Sequence, residues 1–117
     1  MRDKSLRTLR IRLREFAAKR DWDKFHSPKN LAMALAAEVG ELIEHFQWLT
    51  EDESKSLAGE KLEKVEEELA DILIYLVRLS DKLGIDLVDA AFRKIEINSR
   101  KYPVERVRGS AKKYTEY

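Results

Sequence analysis

Two stretches of this chain, residues 31–49 and 61–83, repeat apolar residues at intervals of three and four with little to break a helix. At 100° per residue, Leu31, Leu35, Leu42, Phe46 and Leu49 fall on one face of the first. Leu62, Val65, Leu69, Ile72, Leu73 and Leu76 form the corresponding arc of the second. Alternation of strand type is scarce, and only four glycines and two prolines punctuate the whole sequence. Leucine, alanine, glutamate, lysine and arginine, all good helix formers, dominate. The expectation is an all-α, four-helix-bundle-like subunit.

Four main helices are predicted. The first runs from about Ser5 to Arg20, with Leu6, Leu9, Leu13 and Phe16 as its apolar stripe. "WDKFHSPKN" is a connection, in which Ser27-Pro28 sets an N-cap followed by proline at the first helical position. The second helix extends to about Trp48, and "TEDESKSLAGEK" is a polar linker with room for a short helix. The third runs from about Lys61 to Leu83 and stops at Gly84; the fourth starts near Asp86 and fades before Pro103. Residues 104–117 read as a polar tail on a single domain spanning 1–117.

The length of 117 residues suits one domain with one core. Charged residues make up 38% of the chain, yet the net charge is +1, which argues against a protein built to coat nucleic acid. No cysteine is present, so disulfides and thiolate metal sites are excluded. The first ten residues hold no apolar signal core, and no apolar run approaches the roughly 20 residues that span a bilayer. A cytoplasmic protein without membrane partners is expected.

The anomaly lies in the apolar seams. Glu38 falls inside the apolar face of the second helix, with Glu41 and His45 at its edge and Gly40 beside it. Glu68, Asp71 and Tyr75 line one margin of the third helix's arc. Within each pair, Glu38/Glu41 and Glu68/Asp71, the acids are three residues apart and therefore neighbours. Like charges at that spacing repel, and a buried lone carboxylate costs several kcal/mol without compensation. A divalent cation held by hard oxygens, Mg²⁺ or Mn²⁺ before Zn²⁺, would compensate. Glycine at position 40 would let another backbone or a substrate approach. A solvated acidic face remains an equal alternative on pattern alone. A di-iron bundle would show Glu-x-x-His, and neither His26 nor His45 follows a glutamate at that spacing.

Lys94, Asn98 and Lys101 share one helical stripe, which suits phosphates or simple solvation. Arg93 and Arg100 lie on another side of that helix, and Arg106 and Arg108, in the tail, could close over phosphates. Trp22, Phe25, Phe46 and Trp48 gather near the ends of the second helix. The two tryptophans, beside polar residues, are the candidates for stacking on a base; the phenylalanines read as packing.

"FHSPKNLAMALAAEVGELIEHFQW", "EEELADILIYLVRLSDKLGIDL", "KIEINSRKYP" and "RGSAKKYTEY" together resemble the all-α MazG-like nucleotide pyrophosphohydrolases, most closely the dCTP pyrophosphatase branch. The resemblance covers nearly the whole chain. It implies a Mg²⁺-dependent nucleotide diphosphatase that converts a nucleoside triphosphate, dCTP or a modified dCTP, to the monophosphate and pyrophosphate. It implies Glu38, Glu41, Glu68 and Asp71 as metal-binding acids, and Lys94 and Asn98, joined on their stripe by Lys101, toward the phosphates. Trp22, His26, Asn30, Trp48 and Tyr75 match a base and sugar pocket. Leu13 departs from the branch, whose animal members carry a histidine there, and this leaves the base preference open. Family members are helical dimers or tetramers, so the resemblance implies a homo-oligomer, a dimer or a homotetramer; wide apolar arcs agree with it.

The mechanism expected is metal-assisted attack of water at the phosphate that stays with the nucleoside, with Glu41, and Glu38 beside it, as the catalytic acids. No serine, cysteine or histidine arrangement suggests a covalent intermediate. Two rivals stand. One is a non-catalytic helical binding module that touches nucleic acid or an acidic partner through Arg2, Lys4, Arg7, Arg10, Arg12 and Arg14. The other is a structural oligomer whose acids bind an ion for stability alone.

Overall fold

The structure, a computed structural model, describes residues 4–111 and residue 115. Among these, every regular element is helical. Four long helices occur: α1 (Leu6–Lys19), α2 (Pro28–Glu44), α4 (Gly59–Lys82) and α5 (Leu87–Lys101). Two short ones are α3 (Glu51–Ser54) and α6 (Val104–Val107), and a single 3₁₀ turn covers Asp23–Phe25. Among the described residues, no helix is long and apolar enough to cross a membrane. The chain divides after Gly84 into two compact units, Met1–Gly84 and Ile85–Tyr117. Arg2, Lys112, Lys113 and Tyr114 of the basic N-terminal segment and the tail lie outside the described residues.

Capping chemistry sets the boundaries of the first unit. Ser5 accepts from the Thr8 amide at 3.2 Å, and Ser27 accepts from the Asn30 amide at 3.2 Å with Pro28 at the first position of α2. Thr50 and Glu53 form a reciprocal capping box that holds the four-residue α3. α4 ends at the Leu83 C-cap, followed by Gly84 at φ 68°, a left-handed position that favours glycine.

One boundary differs from expectation. α2 stops at Glu44, four residues short of Trp48. The amides of His45, Phe46 and Leu49 bond three residues back, which winds the chain into tight turns. The apolar spacing of Leu42, Phe46 and Leu49 carries on through those turns, so periodicity alone overshoots the end.

α2 packs along α4, and α1 also lies against α4. The pairings between α4 and the α2 region run in opposite senses: His26 meets Arg78, and His45 meets Glu68. α2 and α4 are therefore antiparallel. Ala17, Leu31, Val65 and Val77 are the fully buried apolar residues among those described. Leu62, Leu69 and Leu73, expected in the buried arc of α4, are instead exposed, Leu69 by 52%. Within this unit α1 and α2 pack on α4, and these three leucines stay exposed.

In the second unit, Asp86 caps α5 by accepting from the Asp89 amide at 3.0 Å. Tyr102 and Pro103 end that helix, and Pro103 is the N-cap of α6. The tail thus holds a short helix that its polar composition did not suggest. Val88, Phe92 and Ile95 are exposed along one face of α5, Phe92 by 66%.

Candidate active site

α2 and α4 bring three carboxylates together. Oxygens of Glu38, Glu41 and Glu68 all lie within 4.8 Å of one another, a geometry that could hold a metal ion. Glu38 and Glu41 come from successive turns of α2, and Glu68 from the facing turn of α4. Oε2 of Glu38 and Oε2 of Glu68 are buried and accept no hydrogen bond from the protein. Two orphaned carboxylate oxygens aimed into one acidic cluster fit a hard cation. The nearest basic group is His45, whose Nε2 lies 3.9 Å from Oε1 of Glu68.

The electrostatics follow from the crowding. Burial pushes the Glu38 carboxyl up to about 7, helped by Glu41 beside it and by the charges of Asp71 and Glu68. Burial, then Glu41, also raises the Glu68 carboxyl.

Asp71, the fourth acid expected, stands outside the tight trio. It lines an adjoining cavity of about 340 Å³ with Leu13, Phe16, Trp22, His26 and Tyr75 among its walls. That volume is in the range of small-molecule sites. Trp22 meets Phe16 edge to face at 5.8 Å, and the Arg20 guanidinium covers the Phe16 ring at 3.6 Å. The cavity therefore offers apolar and aromatic walls with a few polar groups, next to the acidic cluster.

Two other expected base-site residues lie elsewhere. Asn30 spends its side chain on the fold, donating to the Phe25 carbonyl at 3.0 Å. Trp48 sits in the turns after α2 and is 85% exposed. Neither lines the cavity. Among the described residues, a Cβ at Gly40 would meet nothing within 4 Å outside its own stretch of helix. In the second unit, α5 carries Lys94 and Asn98, both exposed, and Lys101, half-buried, on one face. The basic helix α1 is partly committed: Arg14 holds Asp81 through two hydrogen bonds, 2.7 Å from Nε and 2.5 Å from Nη2. This pairing raises Arg14 and lowers Asp81 from their ordinary values.

One site residue escaped the sequence reading. Arg78 is only 4% exposed and joins the cavity wall. Its Nη2 donates to Oδ1 of Asp23 at 3.0 Å and faces Nδ1 of His26 at 3.2 Å. The signal was available, because the stripe Asp71–Tyr75 extends by three residues to position 78.

The comparisons agree with this geometry. The model of the MazG-like family matches residues 33–117. dCTP pyrophosphatase 1 of Bos taurus is 51% identical over 104 residues, which are 87% of this chain and 62% of the bovine protein. The Homo sapiens protein of the same name is 49% identical over 104 residues, 87% of this chain and 61% of its own length. The chain thus spans about three-fifths of the curated relatives it matches. A pyrophosphatase from Archaeoglobus fulgidus, known from its crystal structure, superposes with a TM-score of 0.77 at 45% identity, over 88% of this chain and 96% of that one. With a family match over most of its length and a relative of the same fold at 45% identity, this chain belongs to the MazG-like family.

Proposed function

We propose that this chain is a Mg²⁺-dependent nucleoside triphosphate pyrophosphohydrolase that converts dCTP, or a modified dCTP, to the monophosphate and pyrophosphate. The observation that carries the reading is the trio Glu38, Glu41 and Glu68, with two orphaned buried oxygens, beside an apolar-walled cavity. The names of the relatives, dCTP pyrophosphatase and pyrophosphatase, support the substrate and the bond cleaved. We take residues 1–117 as one MazG-like domain, since the family match runs across both compact units.

Glu38, Glu41 and Glu68, with Asp71 one turn further along α4, would hold the cation. When bound, it neutralises phosphate charge and acidifies water. Glu41 is the exposed member of the trio, and its carboxylate is free to orient a water and take its proton. The water oxygen bonds to the phosphorus that stays on the nucleoside. The bond from that phosphorus to the bridging oxygen breaks, and pyrophosphate leaves with the electron pair. Trp22, His26 and Tyr75 would seat the base in the cavity, and Asn30 would fix the loop that carries His26. Roles for Trp48 at the base and for Lys94, Asn98 and Lys101 at the phosphates rest on the family resemblance and on the shared face of α5.

We read the functional form as a homo-oligomer, a dimer or tetramer. The support is the small set of fully buried apolar residues set against the exposed Leu69, Leu73, Phe92 and Ile95. The test is a turnover panel of canonical and 5-substituted triphosphates with Mg²⁺, following pyrophosphate and monophosphate together. dCTP or a 5-substituted dCTP is expected to lead, with loss of turnover in Glu38→Gln and Glu68→Gln. Release of single phosphates, or full activity in either variant, would contradict the proposal.

A further inference from the structure

Arg78 is the buried charge that the proposed hydrolysis does not use. It belongs to a network on the side of the cavity away from the acidic trio. Its guanidinium shares Asp23 with Lys82, at 3.0 and 2.6 Å respectively, and stands 3.8 Å from Asp81. Two of its N–H groups straddle one atom of His26: Nε and Nη2 lie 3.4 and 3.2 Å from Nδ1.

This contact decides the protonation of the ring. A guanidinium only donates and keeps its protons throughout the ordinary pH range. A proton on Nδ1 would point one N–H at another beside a cation. Nδ1 must therefore offer its lone pair, and the neutral ring carries its proton on Nε2. Burial, followed by the nearby Arg78 charge, lowers the His26 pKa, so the ring stays neutral at pH 7. Nε2 finds no protein acceptor among the described residues, and His26 lines the cavity.

We propose that Arg78 is a positioning residue that locks His26 with its proton on Nε2, so that the cavity presents an N–H donor to an acceptor edge of the bound base. Aromatic faces bind any flat ring, whereas this donor requires a carbonyl oxygen or an unprotonated ring nitrogen on the edge that enters. The tautomer stands on the geometry alone; the role toward a base rests on the proposed function.

The experiment is long-range ¹H–¹⁵N correlation of the His26 ring in the full metal-free chain, followed by titration with 2′-deoxycytidine. The wild type is expected to show a bare Nδ1 and a protonated Nε2, and the Nε2 signal should move as deoxycytidine binds. Arg78→Met keeps the apolar stem and removes the donors. It can fold, because Asp23 retains Lys82 and Asp81 retains Arg14. In that variant the ring should divide between tautomers, and deoxycytidine affinity should fall about three- to tenfold, the worth of one hydrogen bond. Asp23→Asn, which leaves Arg78 on the ring, should keep the wild-type tautomer. A proton on Nδ1 in the wild type, or an unchanged tautomer in Arg78→Met, overturns the lock; if Arg78→Met does not fold, the wild-type spectrum decides. An Nε2 signal unmoved by bound deoxycytidine overturns the donor role. Neither result touches pyrophosphate release, which tests the enzymatic reading separately.

Discussion

Glu38→Gln gives the most informative stability measurement. In the metal-free fold the Glu38 carboxyl is pushed up to about 7 from 4.5, by burial first and by Glu41 next. An acid that holds its proton more tightly when folded stabilises the fold below pH 4.5 and loses that contribution as pH rises to about 7. Each tenfold change in proton affinity is worth about 1.4 kcal/mol, which puts the ceiling near ~3 kcal/mol. Glu38 is half-buried and partly screened by water, so the expected effect is about 1–2 kcal/mol. Glutamine removes the charge and adds an N–H that Glu41 can accept. Urea unfolding in EDTA should find the variant about 1–2 kcal/mol more stable than wild type at pH 8 and equal to it at pH 4.5. A variant less stable than wild type at pH 8 would refute the reasoning, for it would mean that Glu38 holds the fold through a favourable charge interaction.

Saturating Mg²⁺ at about 100 times its dissociation constant should stabilise the wild type by about 2.7 kcal/mol in thermal melts, and should do little for Glu68→Gln. Gly40→Ala, in a helix interior with open space around it, should raise stability by about 0.5–1 kcal/mol; a lower melting temperature would mean that another molecule occupies that space. Trp48→Ala should leave unfolding free energy within about 0.5 kcal/mol, as its exposure requires, while raising the KM for dCTP. An unchanged KM would remove Trp48 from the base site. Sedimentation should show an oligomer that Leu69→Glu or Phe92→Glu dissociates, and a monomeric wild type would contradict the reading of the exposed faces.

Much of the fold was written in local signals. Ser5, Ser27-Pro28, Gly84 and Asp86 mark helix ends by chemistry that needs only near neighbours, and all four act as expected. The end of α2 was hidden because Phe46 and Leu49 keep helical spacing after helical hydrogen bonding has ceased. The acidic trio was legible because carboxylates in an apolar seam are an anomaly on any helix. Asp71 was read beside the trio from spacing and from the family resemblance; tertiary packing sets its side chain on the wall of the adjoining cavity, outside the tight group of three. Arg78 continues the stripe Asp71–Tyr75, yet an arginine on a charged helix reads as solvated by default; the partners that hold it, Asp23 and His26, lie more than fifty residues away in sequence. Leu62, Leu69 and Leu73 show the converse, since periodicity says that a face is apolar but not whether the same subunit covers it.

The central claim is that Glu38, Glu41 and Glu68 form a divalent cation site. Titration of the full chain with Mn²⁺, followed by electron paramagnetic resonance at pH 8, tests it most directly. The account predicts saturable binding in the wild type that weakens as pH falls below about 7, where protons compete for Glu38, and that is lost in Glu38→Gln and Glu68→Gln. Equal Mn²⁺ binding in the wild type and both variants would contradict it.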